Sequence, residues 1–177
     1  MKNILIFALA AFAGIFAVSC SNYRLAGTPV RLPFNSVYVA PVKNTSYAPQ
    51  ASNLLTNAII QAINQVPNLH SAYKEDAQAV LEVKIVDYKK EPVATSASDT
   101  ALAASYNVVA VAECTLTRSN GEVIFKNRKV RASALLYTSG ATGGSNVNDL
   151  LGNEYQNMPV LMRELGLKVR DAVVGIW

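Results

Sequence analysis

The alternation of apolar and polar positions divides the chain into six long elements. The stretch "NSVYVAPV" at 35–42 is rich in β-branched and aromatic residues and predicts a strand, ended by Pro41 and the turn-forming "KNTSYAP". Pro49 then opens a helix over 51–66. In it Leu54, Leu55, Ala58, Ile59, Ala62, Ile63 and Val66 recur at three- and four-residue steps until Pro67-Asn68 stops the pattern. From 79 to 92, Leu81, Val83 and Ile85 alternate with Glu82, Lys84 and Val86, as in a half-buried strand. A third strand follows over 106–117, Asn120-Gly121 supplies a two-residue hairpin turn, and a return strand runs over 123–137. The stretches 94–105 and 139–149 are small, polar and without period, as mobile loops are. A second helix closes the chain. Asn157 and Pro159 mark its N-terminus, and Leu161, Leu165, Lys168, Ala172 and Ile176 line one side, widened by Val169 and Val173.

The order strand, helix, three strands, helix, with one apolar stripe per helix, predicts an α+β fold. We expect a two-layer α/β sandwich in which a four-stranded mixed sheet carries both helices on one face. The first helix joins the first two strands by a right-handed crossover if those strands are parallel.

The N-terminus follows other rules. Lys2 is followed by an uncharged run from 4 to 18, which has the layout of a secretory signal rather than a membrane span, because a spanning helix needs about 20 apolar residues. Ala17 and Ser19 stand at minus three and minus one from Cys20. This resembles the lipobox of bacterial lipoproteins, which implies an acylated Cys20 as mature N-terminus, although such boxes usually carry Leu where this chain has Ala17. The alternative is ordinary secretory cleavage that leaves Cys20 a free thiol. The expected organisation is a signal peptide at 1–19, a lipidated lead at 20–34 and a single domain at 35–177, a length that suits one core.

Composition removes several classes of function. Sixteen Lys and Arg against twelve Asp and Glu give a net charge of +4, without the long basic runs that nucleic acid calls for. The densest basic stretch is "FKNRKVRAS", with Lys126, Arg128, Lys129 and Arg131 on a predicted strand, readable as a solvated face or as a phosphate contact. The other cysteine, Cys114, alternates with Val108, Ala110, Ala112 and Leu116 and is expected to be buried as a small hydrophobe. His70, the one histidine, lies in a polar, loop-like stretch, so neither a zinc site nor a Cys–His pair can be assembled. Gly143-Gly144 lacks the Lys-Ser/Thr of a phosphate loop. We expect no catalysis, metal or cofactor.

With these features in place, the chain resembles the LptE family of lipopolysaccharide (LPS) assembly lipoproteins. The likeness rests on Cys20, Tyr23, Leu25 and Gly27 at the start of the mature part, on "SVYVAPVKNTS", on "DAQAVLEVKIVDYKKEPV", and on the hairpin "YNVVAVAECTLTRSNGEVIF". It implies a lipid anchor on the periplasmic face of the outer membrane and a plug inside the LPS-assembly barrel LptD, assisting the insertion of LPS into the outer leaflet. Under that resemblance Lys129 and Arg131, two apart on one strand face, are expected to contact LPS phosphates, with Lys126 or Arg128 nearby, and the loops 94–105 and 139–149 to touch the barrel wall. Two other classes compete with it. One is an accessory outer-membrane lipoprotein that activates a cell-wall synthase or forms part of a secretion complex; the other is an envelope enzyme, which the scarcity of His and Cys argues against.

Overall fold

The structure, a computed structural model, describes residues 32–48, 50–95, 103–137 and 147–175. In chain order the elements are β1 (Ser36–Val39), β2 (Lys43–Asn44), helix α1 (Ala51–Asn64), β3 (His70–Ser71), β4 (Ala79–Thr95), β5 (Ala103–Arg118), β6 (Val123–Tyr137) and helix α2 (Val147–Val174). They belong to one compact unit, Arg31–Trp177. The segment 1–31, with the expected signal peptide and Cys20, lies outside the described residues.

The fold is α+β, a mixed sheet with two helices, as the periodicity predicts. The sheet has six strands rather than four, in the order β3-β1-β4-β5-β6, with β2 also paired to β4. The two extra strands are two residues each, too short for an alternation to show. The expected strand at 35–42 is broken where Pro41 offers no amide: β1 pairs in parallel with Ala79–Leu81, and β2 resumes the same parallel ladder at Lys84 and Ile85. Inside the gap the Val42 amide donates to Thr56 Oγ1 of α1 at 3.1 Å, so the helix supplies the acceptor that the sheet does not. His70 is on the short outer strand β3, paired with Ser36, and is exposed.

Three further boundaries differ from expectation. The β5–β6 turn has three residues. Gly121 N–H donates to the Arg118 carbonyl at 2.9 Å and Arg118 N–H to the Glu122 carbonyl at 2.8 Å. Gly121 is the turn residue with positive φ, 88°, and Asn120 is not left-handed. This is a turn closed by a left-handed glycine rather than the two-residue type. The strands β4 and β5 run to Thr95 and from Ala103, so the loop expected at 94–105 is shorter, and its remainder lies outside the described residues, as does most of 139–149. Helix α2 begins at Val147, and Pro159 stands inside it. A proline there removes one helical hydrogen bond and costs about 3 kcal/mol; the fully buried Leu161, Met162, Leu165 and Val169 that follow outweigh that, at about 2 kcal/mol or more apiece.

Both helices cover one face of the sheet and share a single core with it. From α1 come Leu55, Ile59 and Ile63, from β4 Leu81 and Ile85, and from β5 the small residues Ala110, Ala112 and Cys114, all at 0% exposure. The helices approach closely: a Cβ on Gly166 of α2 would lie 3.0 Å from both the carbonyl carbon and the Cβ of Ala58 in α1. Gly166→Ala is therefore expected to lower stability by about 1–2 kcal/mol, although alanine is the better helix former by up to about 1 kcal/mol. Urea unfolding of the two proteins checks this, and a stabilised variant would show that the helices part without loss.

Two β-bulges set which side chains join that core. In β4, Ile85 opposes Ala112 while Asp87 opposes Val111, leaving Val86 as an extra residue. In β6, Phe125 opposes Leu116 and Arg128 opposes Cys114, so Lys126 and Asn127 share one place opposite Thr115. Asn127 takes φ 53° there and its amide donates to Thr115 Oγ1 at 3.2 Å. Asn127→Val, which cannot sit easily at positive φ, is expected to lose about 1–2 kcal/mol, while Asn127→Gly stays near the parent; paired thermal melts test the contrast.

Candidate functional site

The β6 bulge divides the basic cluster between two surfaces. Arg128, paired with Cys114, falls on the helix side. Its Nη1 donates to the Ala172 carbonyl near the C-terminal end of α2 at 3.0 Å, and its guanidinium lies 4.9 Å from the centroid of the Phe125 ring. Both contacts suit a cation, one to a helix end and one to an aromatic face. Lys129 and Arg131 oppose Glu113 and Val111 and are exposed on the face that carries no helix. Lys129 Nζ is 3.8 Å from Glu113 Oε1; Arg131 has no ion pair among the described residues. Lys126, in the bulge itself, is exposed.

This open face changes character along β5 and β6. Thr117, Thr115 and Glu113 lie toward the β5–β6 turn, then Val111 and Val109; beside them on β6 run Lys129, Arg131, Ser133 and Leu135. Val109 is only 5% exposed, whereas Leu135 is 45% exposed. At the charged end a shallow groove of about 190 Å³ is bordered by Lys43, Glu82, Lys84, Glu113, Thr115 and Asn127. The arrangement therefore offers mixed charge toward the turn, Lys43, Lys84, Lys129 and Arg131 with Glu82 and Glu113, and beyond it an aliphatic strip on β5 and β6 that β4 borders with Asp87, Lys89 and Glu91.

The helix side holds a polar knot that the sequence did not disclose. The β4 bulge turns Tyr88 and Lys90 toward the helices, where both meet Glu154 of α2: the Tyr88 hydroxyl donates to Oε1 at 2.6 Å and Lys90 Nζ pairs with Oε2. Glu154 is 6% exposed. Burial, then the Glu154 hydrogen bond and charge, push the Tyr88 phenol far above its ordinary value of 10.0. The cavity beside the knot measures about 10 Å³, room for one water, and the knot fastens α2 to β4. Its signal was present in the spacing, because Glu154, Met158, Leu161 and Leu165 fall on one helical stripe once the helix is taken back to Val147.

Cys114 is fully buried, as its place in the alternation predicts. Burial pushes its thiol up to about 12, against the opposing pull of the Arg128 charge, so it stays protonated and unreactive at neutral pH. Among the described residues no cluster of His, Cys, Asp or Glu has the makings of a metal site, and no described helix is long and apolar enough to cross a membrane.

Removing Glu154 leaves Lys90 without its partner and the Tyr88 hydroxyl without its acceptor. Glu154→Ala is expected to cost about 2 kcal/mol, below the 3–5 kcal/mol of a fully buried pair because the Lys90 side chain is 30% exposed. Tyr88→Phe should cost about 1 kcal/mol. The folded chain holds the phenol proton beyond the point at which the unfolded chain releases it, at 10.0. The tyrosine's contribution is thus complete below about pH 10 and declines as the pH rises further. Chemical unfolding between pH 8 and 11 should show a steeper alkaline loss in the parent than in Tyr88→Phe; parallel curves would separate Tyr88 from the effect.

No curated protein sequence matches the chain. Among solved structures it is similar to a protein from Xanthomonas campestris at 8% identity and a TM-score of 0.53, covering 88% of this chain and 93% of that one. A minor lipoprotein from Acinetobacter baumannii aligns at 11% identity and a TM-score of 0.49, over 82% of this chain and 94% of that one. The lipoprotein B from Nitrosomonas europaea aligns at 15% identity and a TM-score of 0.48, over 86% and 88%. The Xanthomonas protein shares the fold. The family model LptE, described as lipopolysaccharide-assembly, matches residues 34–158, from the start of the sheet into α2, and the chain belongs to that family.

Proposed function

We propose that the protein is a lipid-anchored LPS-assembly factor, held by acyl chains on Cys20 at the periplasmic face of the outer membrane. In this reading it sits as a plug in the lumen of the barrel LptD and assists insertion of LPS into the outer leaflet, binding and positioning rather than catalysing. The observation that carries the reading is the family match over residues 34–158. Acyl chains contribute about 0.8 kcal/mol per buried methylene, so two or more make the anchor durable. A polar, charged sheet face suits a barrel lumen, which is itself polar.

The open face supports a contact with LPS. Lys129 and Arg131, with Lys126 beside them, are the cations offered to lipid A phosphates, and Val111 and Leu135 lie further along the same strands for an acyl chain. Arg128, turned to the Ala172 carbonyl, is left out of that contact. Arg131 contributes most in this reading, because it presents a fork of donors to a phosphate and Lys129 is shared with Glu113.

A mild-detergent pull-down of the full-length protein from its native envelope tests the assignment, with mass spectrometry of the partners and of the N-terminal peptide. The expected result is an acylated Cys20 together with a large β-barrel. An acylated Cys20 with a cell-wall synthase, or with no barrel, would replace this reading by that of an accessory lipoprotein. For the lipid, replacing Lys129 and Arg131 together by Ala is expected to weaken LPS binding about tenfold at low salt and less at high salt, as screened charges require. Equal affinity of parent and variant would remove these residues from the contact.

A further inference from the structure

The two edges of the sheet are built differently. On one side the outermost strand is β3, only two residues long, and a short strand offers little to pair with. On the other side the outermost strand is β6, fifteen residues long, and no described strand pairs with its outer side. Half of its backbone amides and carbonyls point away from β5, because antiparallel pairing uses alternate residues.

The first half of β6 is guarded by the bulge at Lys126-Asn127 and by cations. The second half is not: from Ala132 to Leu136 it carries no charge, no proline and no bulge, its register with β5 is unbroken, and Ser133 and Leu135 are exposed. An uncharged edge whose register is unbroken is a template for another strand. The charges beside it select the partner. Every charged residue of β6 is basic, so a second copy laid antiparallel and centred near Val130 would set Lys129 against Arg131, like charges directly opposed. An acidic segment meets the complementary arrangement.

We propose that residues 130–136 of β6 form a strand-addition site for an extended, carboxylate-bearing segment of a partner protein, joined by main-chain hydrogen bonds, with its acidic side chains against Lys129 and Arg131 and an apolar one against Leu135. The main-chain edge borders the open face and shares Lys129, Arg131 and Leu135 with it, so a bound segment and LPS would compete for these side chains, while the hydrogen-bonding edge itself belongs to the segment alone.

Two measurements on the full-length protein decide it. In hydrogen exchange of the purified protein, alternate amides between 130 and 136 should exchange quickly while those between them, bonded to β5, are protected; protection of the whole set would mean that the edge is already covered and would overturn the proposal. The second uses the photo-crosslinker p-benzoylphenylalanine at Ser133 and, separately, at Leu135, in the cells that make the protein. The cross-linked peptides should map to residues two apart in one Asp- or Glu-containing segment. The double change Lys129→Glu and Arg131→Glu should lower the yield about tenfold. Cross-links to a second copy of this chain, to sites without that two-residue step, or of a yield unmoved by charge reversal would each refute it.

Discussion

A sheet with only one covered face depends on its register, since shifting a strand by one residue exchanges every buried side chain for an exposed one. Here β4 and β6 each carry extra residues, and the two irregularities inside the covered layer, at Val86 and at Lys126-Asn127, keep that register. With strict alternation after Ile85, Asp87 would be driven under the helices; the bulge at Val86 turns it outward to oppose Val111 and brings Tyr88 in against Ala110. Strict alternation after Phe125 would likewise bury Lys129 and Arg131. The bulge at Lys126-Asn127 exposes both and gives Val130 and Ala132 to the covered side. An unpaired buried charge costs several kcal/mol, far more than the disrupted ladder position that each bulge introduces. The polar knot, the exposed cations and the core composition all follow from these two insertions.

The covered layer is compact for a related reason. The central strand β5 presents Ala110, Ala112 and Cys114 to the helices, and α2 meets α1 at Gly166 against Ala58. Opposite those small residues β4 places longer ones, Tyr88 across from Ala110 and Lys90 across from Val108, and both reach Glu154 of α2. The carboxylate is thereby given two partners in a place where a single unmatched oxygen would be unfavourable.

Much of this was legible in the residues. The stripe Leu55, Ile59 and Ile63, the alternation of Leu81, Val83 and Ile85, and the run from Val108 to Leu116 each gave element, face and burial together, because each spans several periods. The differences have two physical origins, a local signal overridden by packing elsewhere and a feature too short to leave a periodic signal. Pro159 reads as a helix start because its ring suits that position, yet the apolar stripe on either side holds it inside α2; a helix begun at Asn157 leaves Glu154 on no element. Asn120-Gly121 reads as a two-residue turn, but only Gly121 takes the left-handed conformation. The pairs β2 and β3 have no period to read, and the bulges add one residue to patterns that are too regular around them to reveal it. For the basic cluster, the two-residue spacing of Lys129 and Arg131 was enough to place them on one face, while the position of Arg128 required the bulge.

The open face then has a reason to differ from the covered one. A strand buried on both sides would read as a continuous apolar run, and β5 does not: its outward residues pass from Thr117, Thr115 and Glu113 to Val111 and Val109. Val109 reaches 5% exposure between Lys89 and Ser133 on the neighbouring strands. What the face keeps is an order along β5 and β6, charge toward the β5–β6 turn and aliphatic surface beyond it, with the charges of Asp87, Lys89 and Glu91 running beside that surface on β4.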